Sequence, residues 1–497
     1  MNTKSYINAL ITSDWKSGIA VFLVALPLCL GIALTSGAPL LAGLVAGIVG
    51  GIIVSLLSGS ELSVSGPAAG LTIIVATAIT ELGSFPGFLV AVILAGVIQI
   101  ALGLLKLGKI GGFFPSSVIR GMLAAIGIVI ILKQIPHAIG WDNDAMGNDA
   151  FNQANGQNTF TEISKAFEFI TPGALVIAAI SLAILILWDT VLTKKHKIFQ
   201  LLQGPIVVVI LGICMNLAYS KGLLPYSLNE KQIVSIPVPD SIGSFFGQFT
   251  FPDFKALTNF EVWKIAIVIA IVASLETLLC VEATDKLDPD KRITPTNREL
   301  KAQGLGNIVS GLIGGLPLTQ VIVRSSANIN FGAKTKMSSI LHGVFLLISA
   351  IFISGLLNLI PLASLAAILL MVGYKLAKPS LFKQMYKLGW EQFIPFVATI
   401  VAIIATDLLK GITVGILVGI FYTLRHSYRN SHHVKDIISD DHGKAVHHLV
   451  LAQEVSFFNK ASLLSTLDGI PANSKVIIDC TNSKSIAYDV IEIINDY

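Results

Sequence analysis

Charged residues are scarce in this 497-residue chain. Asp, Glu, Lys and Arg make up 13% of it, about half the share found in an ordinary soluble domain, whereas hydrophobic residues make up 54% and the mean hydropathy is +0.77. The formal net charge is only +4. This composition excludes a soluble globular protein, and the small net charge gives no reason to expect a nucleic-acid partner.

Cysteine is also rare, and the sequence motifs of enzymes are missing. The four cysteines, Cys29, Cys214, Cys280 and Cys480, lie far apart and include no Cys-x-x-Cys pair. Their spacing argues against a disulfide framework and against structural zinc. The chain has no nucleotide-binding loop, nucleophile elbow or metal motif. We therefore expect a protein that is not an enzyme and that needs no cofactor, although a sodium ion could bind at the polar site described below.

Long apolar stretches are what the chain has in abundance. They recur from Ile19 to Phe421, and many approach the roughly 20 residues that a helix needs to cross a ~30 Å hydrocarbon layer. The fold class is therefore an all-α polytopic membrane protein with fourteen transmembrane segments, seven in each half of the chain. The predicted segments are 16–36, 40–57, 68–82, 86–104, 115–134, 173–190 and 203–218, then 262–284, 301–315, 319–332, 338–358, 361–375, 391–406 and 410–426.

The charges of the loops predict how the segments are oriented, because Lys and Arg accumulate on the cytoplasmic side of a membrane. The two longest loops on the opposite side, 135–171 and 219–261, are poor in basic residues. We expect a multi-pass protein of the cell membrane, inner or plasma, with both termini in the cytoplasm. The predicted cytoplasmic loops hold Lys106 and Lys109; Lys194, Lys195 and Lys197; Lys286, Lys291, Arg292 and Arg298; Lys334 and Lys336; and Lys378, Lys383 and Lys387.

The composition changes after the last apolar segment. We divide the chain into a transmembrane transporter domain at 1–427, a polar connector at 428–445 and a small cytoplasmic domain at 446–497. The connector region is rich in histidines without regular spacing, which argues against a metal site. Alternating strand and helix patterns predict that the last region is a partial α/β domain, incomplete here or completed by another chain.

Two of the predicted segments are interrupted in the same way. The third, "ELSVSGPAAGLTIIVATAI", begins as an extended stretch, breaks at Gly66-Pro67 and then offers a short helix; the tenth, "SGLIGGLPLTQVIVRSSANINFG", repeats this order around Pro317. Matched broken helices in two halves of a chain are typical of a transporter binding site. Their free N–H groups and positive helix ends would attract an anion. The alternative is that these residues are simple kinks, which membrane helices tolerate.

Three residues of the eighth segment and one of the tenth carry polar groups into the membrane. Glu276 lies deep in "IVIAIVASLETLLCVEATDKL", and helical spacing places Thr277 and Cys280 close to it on one small, partly polar face. We expect Glu276 to carry a coupling proton, to bind Na⁺ together with oxygens such as that of Thr277, or to make a structural bond. Arg324 would add positive potential behind the anion, unless it snorkels to the membrane surface or forms a structural ion pair.

Five stretches together resemble the sulfate permease (SulP) family of secondary anion transporters, which end in a cytoplasmic STAS domain. They are "DWKSGIAVFLVALPLCLGIALTSGAP", "SGPAAG", "ASLETLL", "GGLPLTQVIVRSSAN" and "KVIIDCTN", and they span nearly the whole chain. The resemblance implies two inverted repeats of seven segments, a core domain that moves against a gate domain, and a homodimer in the lipid bilayer. It also implies transport of an anion such as sulfate, bicarbonate, chloride or a dicarboxylate.

The resemblance also implies where the anion and the coupling cation bind. The anion would lie between Ala68, Ala69 and Gly70 on one side and Thr319, Gln320 and Val321 on the other, with Glu276 at the acidic position of the eighth segment. This chain departs from many relatives by having Ala68 in place of a hydroxyl residue and the bulky Leu318 in place of a small one. We therefore expect a pocket that is tighter or less polar than in those relatives.

These features predict secondary active transport of a small inorganic anion by alternating access, coupled to H⁺ or Na⁺, with sulfate as the substrate that the family favours. The main alternative is Na⁺-coupled bicarbonate uptake. Less favoured alternatives are a nucleobase permease, which would want carboxylates or amides for the base edges, and an anion channel or membrane-bound sensor of the same fold.

Overall fold

A computed structural model describes residues 9–141, 158–193, 204–235, 243, 247–352, 354–429, 432–439, 445–472 and 474–497. The predicted cytoplasmic lysines Lys194, Lys195 and Lys197 lie outside the described residues.

The first half of the membrane domain consists of helices interrupted by one short strand. α1 spans Trp15–Thr35 and is preceded by a wide turn at Leu10–Asp14, α2 spans Leu40–Leu57, and strand β1 spans Ser65–Pro67. The helices that follow are α3 (Ala69–Leu82), α4 (Phe85–Leu104), α5 (Ser116–Ile139), the short α6 (Thr159–Ala166), α7 (Pro172–Leu192) and α8 (Gly204–Ser220).

The second half repeats this order. α9 spans Phe260–Leu287, α10 spans Thr296–Leu312, and strand β2 spans Leu318–Gln320. The helices that follow are α11 (Ile322–Asn330), α12 (Met337–Phe352), the single turn α13 (Ser354–Leu357), α14 (Leu362–Leu376), the short α15 (Pro379–Lys387), α16 (Trp390–Ala405) and α17 (Leu408–Arg429). In both halves the strand precedes the third segment and a short helix follows the fifth. The described residues thus contain a helix for each of the fourteen predicted segments, which confirms the predicted fold class.

The fourteen helices differ in how well they suit lipid. Within the described residues, eight are long and apolar enough to cross a bilayer, and four more are apolar but shorter than 18 residues. α10 and α11 are different, because they bury polar faces inside the protein. The segment predicted at 301–315 begins earlier, at Thr296. Contacts within the protein, rather than contacts with lipid, stabilise its position.

The helices form two bundles. In the first, which we call the core bundle, α4 packs on α3, α9 and α10, and α1 packs on α2, α11 and α12. In the second, the gate bundle, α14 packs on α5 and α7, while α16 packs on α5, α15 and α17. Each bundle draws its helices from both halves of the chain, as expected when two repeats are intertwined.

The two short strands pair with each other inside the core bundle. β1 and β2 are antiparallel, with Ser65 opposite Gln320 and Pro67 opposite Leu318. Opposite strand directions are what inverted repeats require. All six residues of this ribbon are buried, so their backbone groups need protein partners.

A row of polar side chains on α10 forms hydrogen bonds with β1, with β2 and with the segment just before β2. Asn307 Nδ2 donates to the Leu318 carbonyl (3.1 Å) and Asn307 Oδ1 accepts from the Leu318 N–H (2.7 Å). Gln303 Nε2 donates to Ser65 Oγ on β1 (2.7 Å), and Ser310 Oγ donates to the Leu316 carbonyl (2.7 Å). The spacing of these residues along α10 places them on one helix face, and this face holds the ribbon in position.

The C-terminal region forms a small α/β unit. β3 (His432–Ser439) is antiparallel to β4 (Ala445–Leu451), and β4 is parallel to β6 (Lys475–Asp479). β5 (Glu454–Val455) pairs with β7 (Ser485–Ile486), and the helices are α18 (Lys460–Asp468) and α19 (Tyr488–Asp496). The predicted alternation of strands and helices is confirmed. The connector predicted at 428–445 needs correction, because β3 belongs to the same sheet as β4; histidine-rich polarity hid its strand pattern.

Replacing Asn307 with alanine should destabilise the ribbon. The change would leave the N–H and carbonyl of Leu318 without their side-chain partners in a buried site, at a cost of about 1–3 kcal/mol for each unsatisfied group. We expect a clearly lower thermal unfolding midpoint for the purified protein in detergent. Lys301→Ala, an exposed position on the same helix, is the control, and equal midpoints for the two variants would contradict this role.

Candidate functional site

Both halves of the molecule change from strand to helix at the ribbon. Ala68 is extended and α3 begins at Ala69, whereas Val321 is extended and α11 begins at Ile322. Pro67 and Pro317 favour extended backbone in the residues before them, and the pairing of β1 with β2 keeps Pro67 and residues 318–320 extended. The predicted order of an extended stretch followed by a short helix is confirmed for both segments.

The two helix starts line one cavity of about 380 Å³. α3 contributes Ala69 and Gly70, α11 contributes Ile322 and Val323, and Val321 lies just before it. The first N–H groups of a helix have no partner within the helix, and each helix start carries roughly half a positive charge. The cavity therefore receives positive potential from two sides although its walls are mostly apolar.

Glu276 of α9 is the buried acidic group of this cavity. It is only 4% exposed and lies against α3, where a Cβ atom added to Gly70 would be 3.1 Å from both carboxylate oxygens. Cys280, one turn further along α9, lines the same cavity. The structure thus brings together five of the residues predicted from the sequence: Ala69, Gly70, Glu276, Cys280 and Val321.

The other residues predicted for the site lie within or beside the ribbon. Ala68 and Thr319 are buried and do not line the cavity. Thr277 Oγ1 accepts a hydrogen bond from the Gln320 backbone N–H (3.4 Å), so it supports β2. The Gln320 side chain is fully buried, and neither its oxygen nor its nitrogen has a hydrogen-bond partner among the described residues. In this arrangement these four residues do not line the cavity but support the two helix starts that do.

Arg324 lies behind the helix starts with its charge unneutralised. It is fully buried, its three nitrogens have no conventional hydrogen-bond acceptor, and it forms no ion pair within the described part of the chain. A Cβ atom at Gly66 would lie 2.2 Å from Arg324 Nη1, so only glycine permits this close packing. The Cys29 thiol is its polar neighbour. Complete burial excludes snorkelling, and no carboxylate supports the structural ion pair considered from the sequence.

A smaller cavity connects Arg324 with the same helix starts. It has a volume of about 30 Å³ and is lined by Arg324, Ala69, Val321 and the gate residue Gln134, among others. A cavity of this volume holds about one water-sized species. The positive charge of Arg324 therefore reaches the region between α3 and α11 from the core side.

The gate bundle closes the other side of the larger cavity. Ile126 and Val129 of α5 and Ile403 of α16 are apolar, and Asp407 pairs with Lys410 at the turn before α17 (2.9 Å). Sequence reasoning did not identify Asp407 as part of the site. The polar row of α10 was also missed, although the four-residue spacing of Glu299, Gln303 and Asn307 could have indicated it.

Intertwined repeats, two broken helices and positive helix ends at a shared cavity define a membrane transporter for anions. Comparison with known proteins agrees, because residues 11–399 match the sulfate permease family. The chain belongs to that family.

Relatives and solved structures extend this comparison. YvdB of Bacillus subtilis (strain 168), which bears a sulfate-transporter name, is 28% identical over 412 residues, which is 82% of this chain and 73% of YvdB. The bicarbonate transporter BicA of Picosynechococcus sp. (strain ATCC 27264 / PCC 7002 / PR-6) is 26% identical over 81% of this chain and 68% of BicA.

Two solved structures share the fold. The transmembrane domain of a cyanobacterium bicarbonate transporter BicA has a TM-score of 0.57 at 24% identity, over 81% of this chain and 97% of that one. SLC26A9 has a TM-score of 0.68 at 16% identity, over 100% of this chain and 83% of that one.

Replacing Gly70 with alanine should impair transport. The added methyl group would lie 3.1 Å from both oxygens of Glu276, so the carboxylate or α3 would have to move. We expect initial uptake to fall roughly tenfold, equal to about 1.4 kcal/mol, with little change in thermal stability. Gly112→Ala serves as the control because no atom lies within 4 Å of a Cβ added there. Normal uptake by Gly70→Ala would show that this contact is unimportant.

Neutralising Arg324 should weaken anion binding. A unit charge at ~6 Å and an effective dielectric constant near 20 interacts with an anion by about 3 kcal/mol before screening, so Arg324→Gln should reduce affinity by up to about 100-fold. Arg324→Lys keeps the positive charge and should lose less anion affinity. Affinity measured by titration of the purified, folded variants tests this. An unchanged affinity in Arg324→Gln would assign the arginine to structure alone.

Proposed function

We propose that this chain carries a small inorganic anion across the cell membrane by secondary active transport and alternating access, with sulfate as the first candidate. The observation that carries the proposal is the position of Glu276 against Gly70, in a cavity lined by the starts of both α3 and α11. Sulfate is favoured by the matched family and by the names of relatives such as YvdB.

The proposed anion site lies between Ala69 and Gly70 on one side and Val321 to Val323 on the other. Free backbone N–H groups would bind the anion, and Arg324 would add potential from behind without touching it. Because the apolar walls exclude much of the water, these interactions are stronger than in solution. Ala68, Thr319 and Gln320 would hold the two helix starts at the required separation through the ribbon.

Alternating access follows from the two bundles that enclose the site. α3, α9 and α11 of the core bundle hold the proposed ligand groups, whereas α5, α16 and α17 of the gate bundle supply the opposite walls. A movement of the core bundle against the gate bundle would expose the site to one side of the membrane and then to the other.

For the coupling ion we propose a proton on Glu276. Among the described side chains that line the cavity, only those of Glu276 and Asp407 carry oxygen, and Asp407 is paired with Lys410. Sodium prefers several oxygen ligands, whereas the neighbouring Cys280 offers a thiol, which is a soft ligand. Thr277, considered from the sequence as a sodium ligand, is engaged with the ribbon. A protonated Glu276 would no longer repel an anion at the helix starts.

Bicarbonate is the second candidate substrate, because a relative that covers 81% of this chain is named as a bicarbonate transporter. A nucleobase is less favoured, since no amide side chain lies among the described residues that line the cavity and Asp407, one of its two carboxylates, pairs with Lys410. We further propose that both termini are cytoplasmic, that the membrane is the cell membrane, and that the transporter works as a homodimer, in line with the loop charges and the family resemblance.

Replacing Glu276 with glutamine should uncouple transport. Proton and anion must raise each other's affinity by the same factor if they bind together. Glu276→Gln should therefore bind anion with little dependence on pH and should fail to accumulate it against a gradient. The measurement is uptake of labelled sulfate and bicarbonate into proteoliposomes under pH or Na⁺ gradients.

The control for this experiment is Glu261→Gln, an exposed position at the start of the same helix whose side chain pairs with Lys264. It should behave like the unaltered protein. If a Na⁺ gradient alone drives accumulation, the coupling ion is sodium and the proposed proton coupling is wrong. Accumulation by Glu276→Gln equal to that of the control would assign Glu276 to structure and would place coupling elsewhere.

A further inference from the structure

A second, larger cavity lies between the bundles on the side of the predicted cytoplasmic loops. Its volume is about 740 Å³, within the range of 300–1,000 Å³ that is usual for small-molecule sites. It is lined by α9 and the loop that follows it in the core bundle, and by α5, α14 and α15 of the gate bundle. Six of its lining residues are basic: Arg120, Lys286, Lys291, Arg292, Lys375 and Lys378.

Three of these six basic residues already have carboxylate partners. Lys286 pairs with Glu282 (3.3 Å), Arg292 pairs with Asp288 (2.7 Å) and Lys375 pairs with Asp189 (2.5 Å). Hydrogen bonds to the Asp288 carboxylate outweigh the effect of burial and raise the pKa of Arg292. The remaining carboxylate in the cavity wall, Asp285, accepts hydrogen bonds from Thr294.

The other three basic residues have no carboxylate partner within the described residues. Arg120 Nη1 contacts only the Met385 sulfur (3.6 Å), and Lys291 Nζ donates to the Lys286 carbonyl (2.7 Å). Lys378 forms no ion pair there. Arg120 of the gate bundle is also close enough to Lys286 of the core bundle for their charges to repel. The cavity therefore concentrates uncompensated positive charge where the two bundles meet.

A helix start adds to this charge. α15 spans nine residues, Pro379–Lys387, and its first residues Ser380 and Leu381 line the cavity beside Lys378. Pro379 has no N–H and the Leu381 N–H donates to the Lys378 carbonyl (2.9 Å), which leaves the Ser380 N–H in the first turn. This group and the positive helix end favour a phosphate group, and lysine and arginine side chains bind phosphate oxygens strongly.

We propose that this cavity binds a soluble anion with two or more phosphoryl groups, of the pyrophosphate type, and that binding inhibits transport. A single small anion could neutralise one of the three unpaired charges, whereas a diphosphate has two charged ends, one for the cations of each bundle. Because the core bundle supplies Lys291 and the gate bundle supplies Arg120 and Lys378, the bound anion would hold the bundles at one separation. A ligand that binds one arrangement better shifts the population towards it. The proposal does not depend on which anion is transported.

The test is calorimetric titration of the purified full-length protein with inorganic pyrophosphate at constant ionic strength. We expect saturable binding that weakens at least tenfold when Arg120→Gln and Lys378→Gln are combined. Lys291→Gln, on an exposed loop residue, is a second variant in case the double variant does not fold. Lys109→Gln removes an exposed lysine outside the cavity and should bind pyrophosphate normally.

Two further arms identify the source of the effect. Gly70→Val should keep its affinity for pyrophosphate although its transport site is obstructed; loss of binding there would place pyrophosphate in the transport site and overturn the proposal. Displacement by short-chain phosphatidic acid at lower concentration than by free pyrophosphate would assign the cavity to a lipid headgroup and would likewise overturn it. Absence of saturable binding, or equal affinity in all variants, would mean that pyrophosphate is attracted only by the general positive charge, and this result would also overturn the proposal.

Discussion

The antiparallel pairing of β1 with β2 is the constraint on which the rest of the membrane domain depends. Non-helical backbone inside a membrane protein must find its hydrogen bonds within the protein, and here the two strands and the polar face of α10 provide them. Because the ribbon is short, two helices can begin next to it and direct their N–H groups into one cavity. The same pairing leaves room for Arg324 against Gly66.

The site holds buried groups of opposite charge around one cavity. Arg324 and the helix starts supply positive potential, and Glu276 supplies a negative group at the cavity wall. A buried charge is costly. An anion near the helix starts would lower the cost of the Arg324 charge, and a proton on Glu276 would remove the repulsion between its carboxylate and that anion. This mutual dependence is the physical basis proposed for coupled transport.

Much of the fold could be predicted from the sequence, because apolar length and the repeated Gly/Pro pattern report directly on membrane segments and on broken helices. Residues at or next to the helix starts, such as Gly70 and Val321, followed from the resemblance to the sulfate permease family. The roles of Thr277 and Gln320 did not, since the hydrogen bond from the Gln320 backbone N–H to Thr277 Oγ1 joins segments that are distant in sequence. The supporting role of Asn307 depends on contacts between segments distant in sequence, which composition and periodicity do not report.

The most direct test of the account is a difference map between structures of the protein determined with and without its transported anion at saturating concentration. We predict a peak in the cavity between the start of α3 at Ala69 and Gly70 and the start of α11 at Ile322 and Val323, within hydrogen-bond distance of backbone N–H groups from both helices. A peak that lies only elsewhere, for example among Arg120, Lys291 and Lys378, would contradict the central claim that the paired helix starts form the transport site.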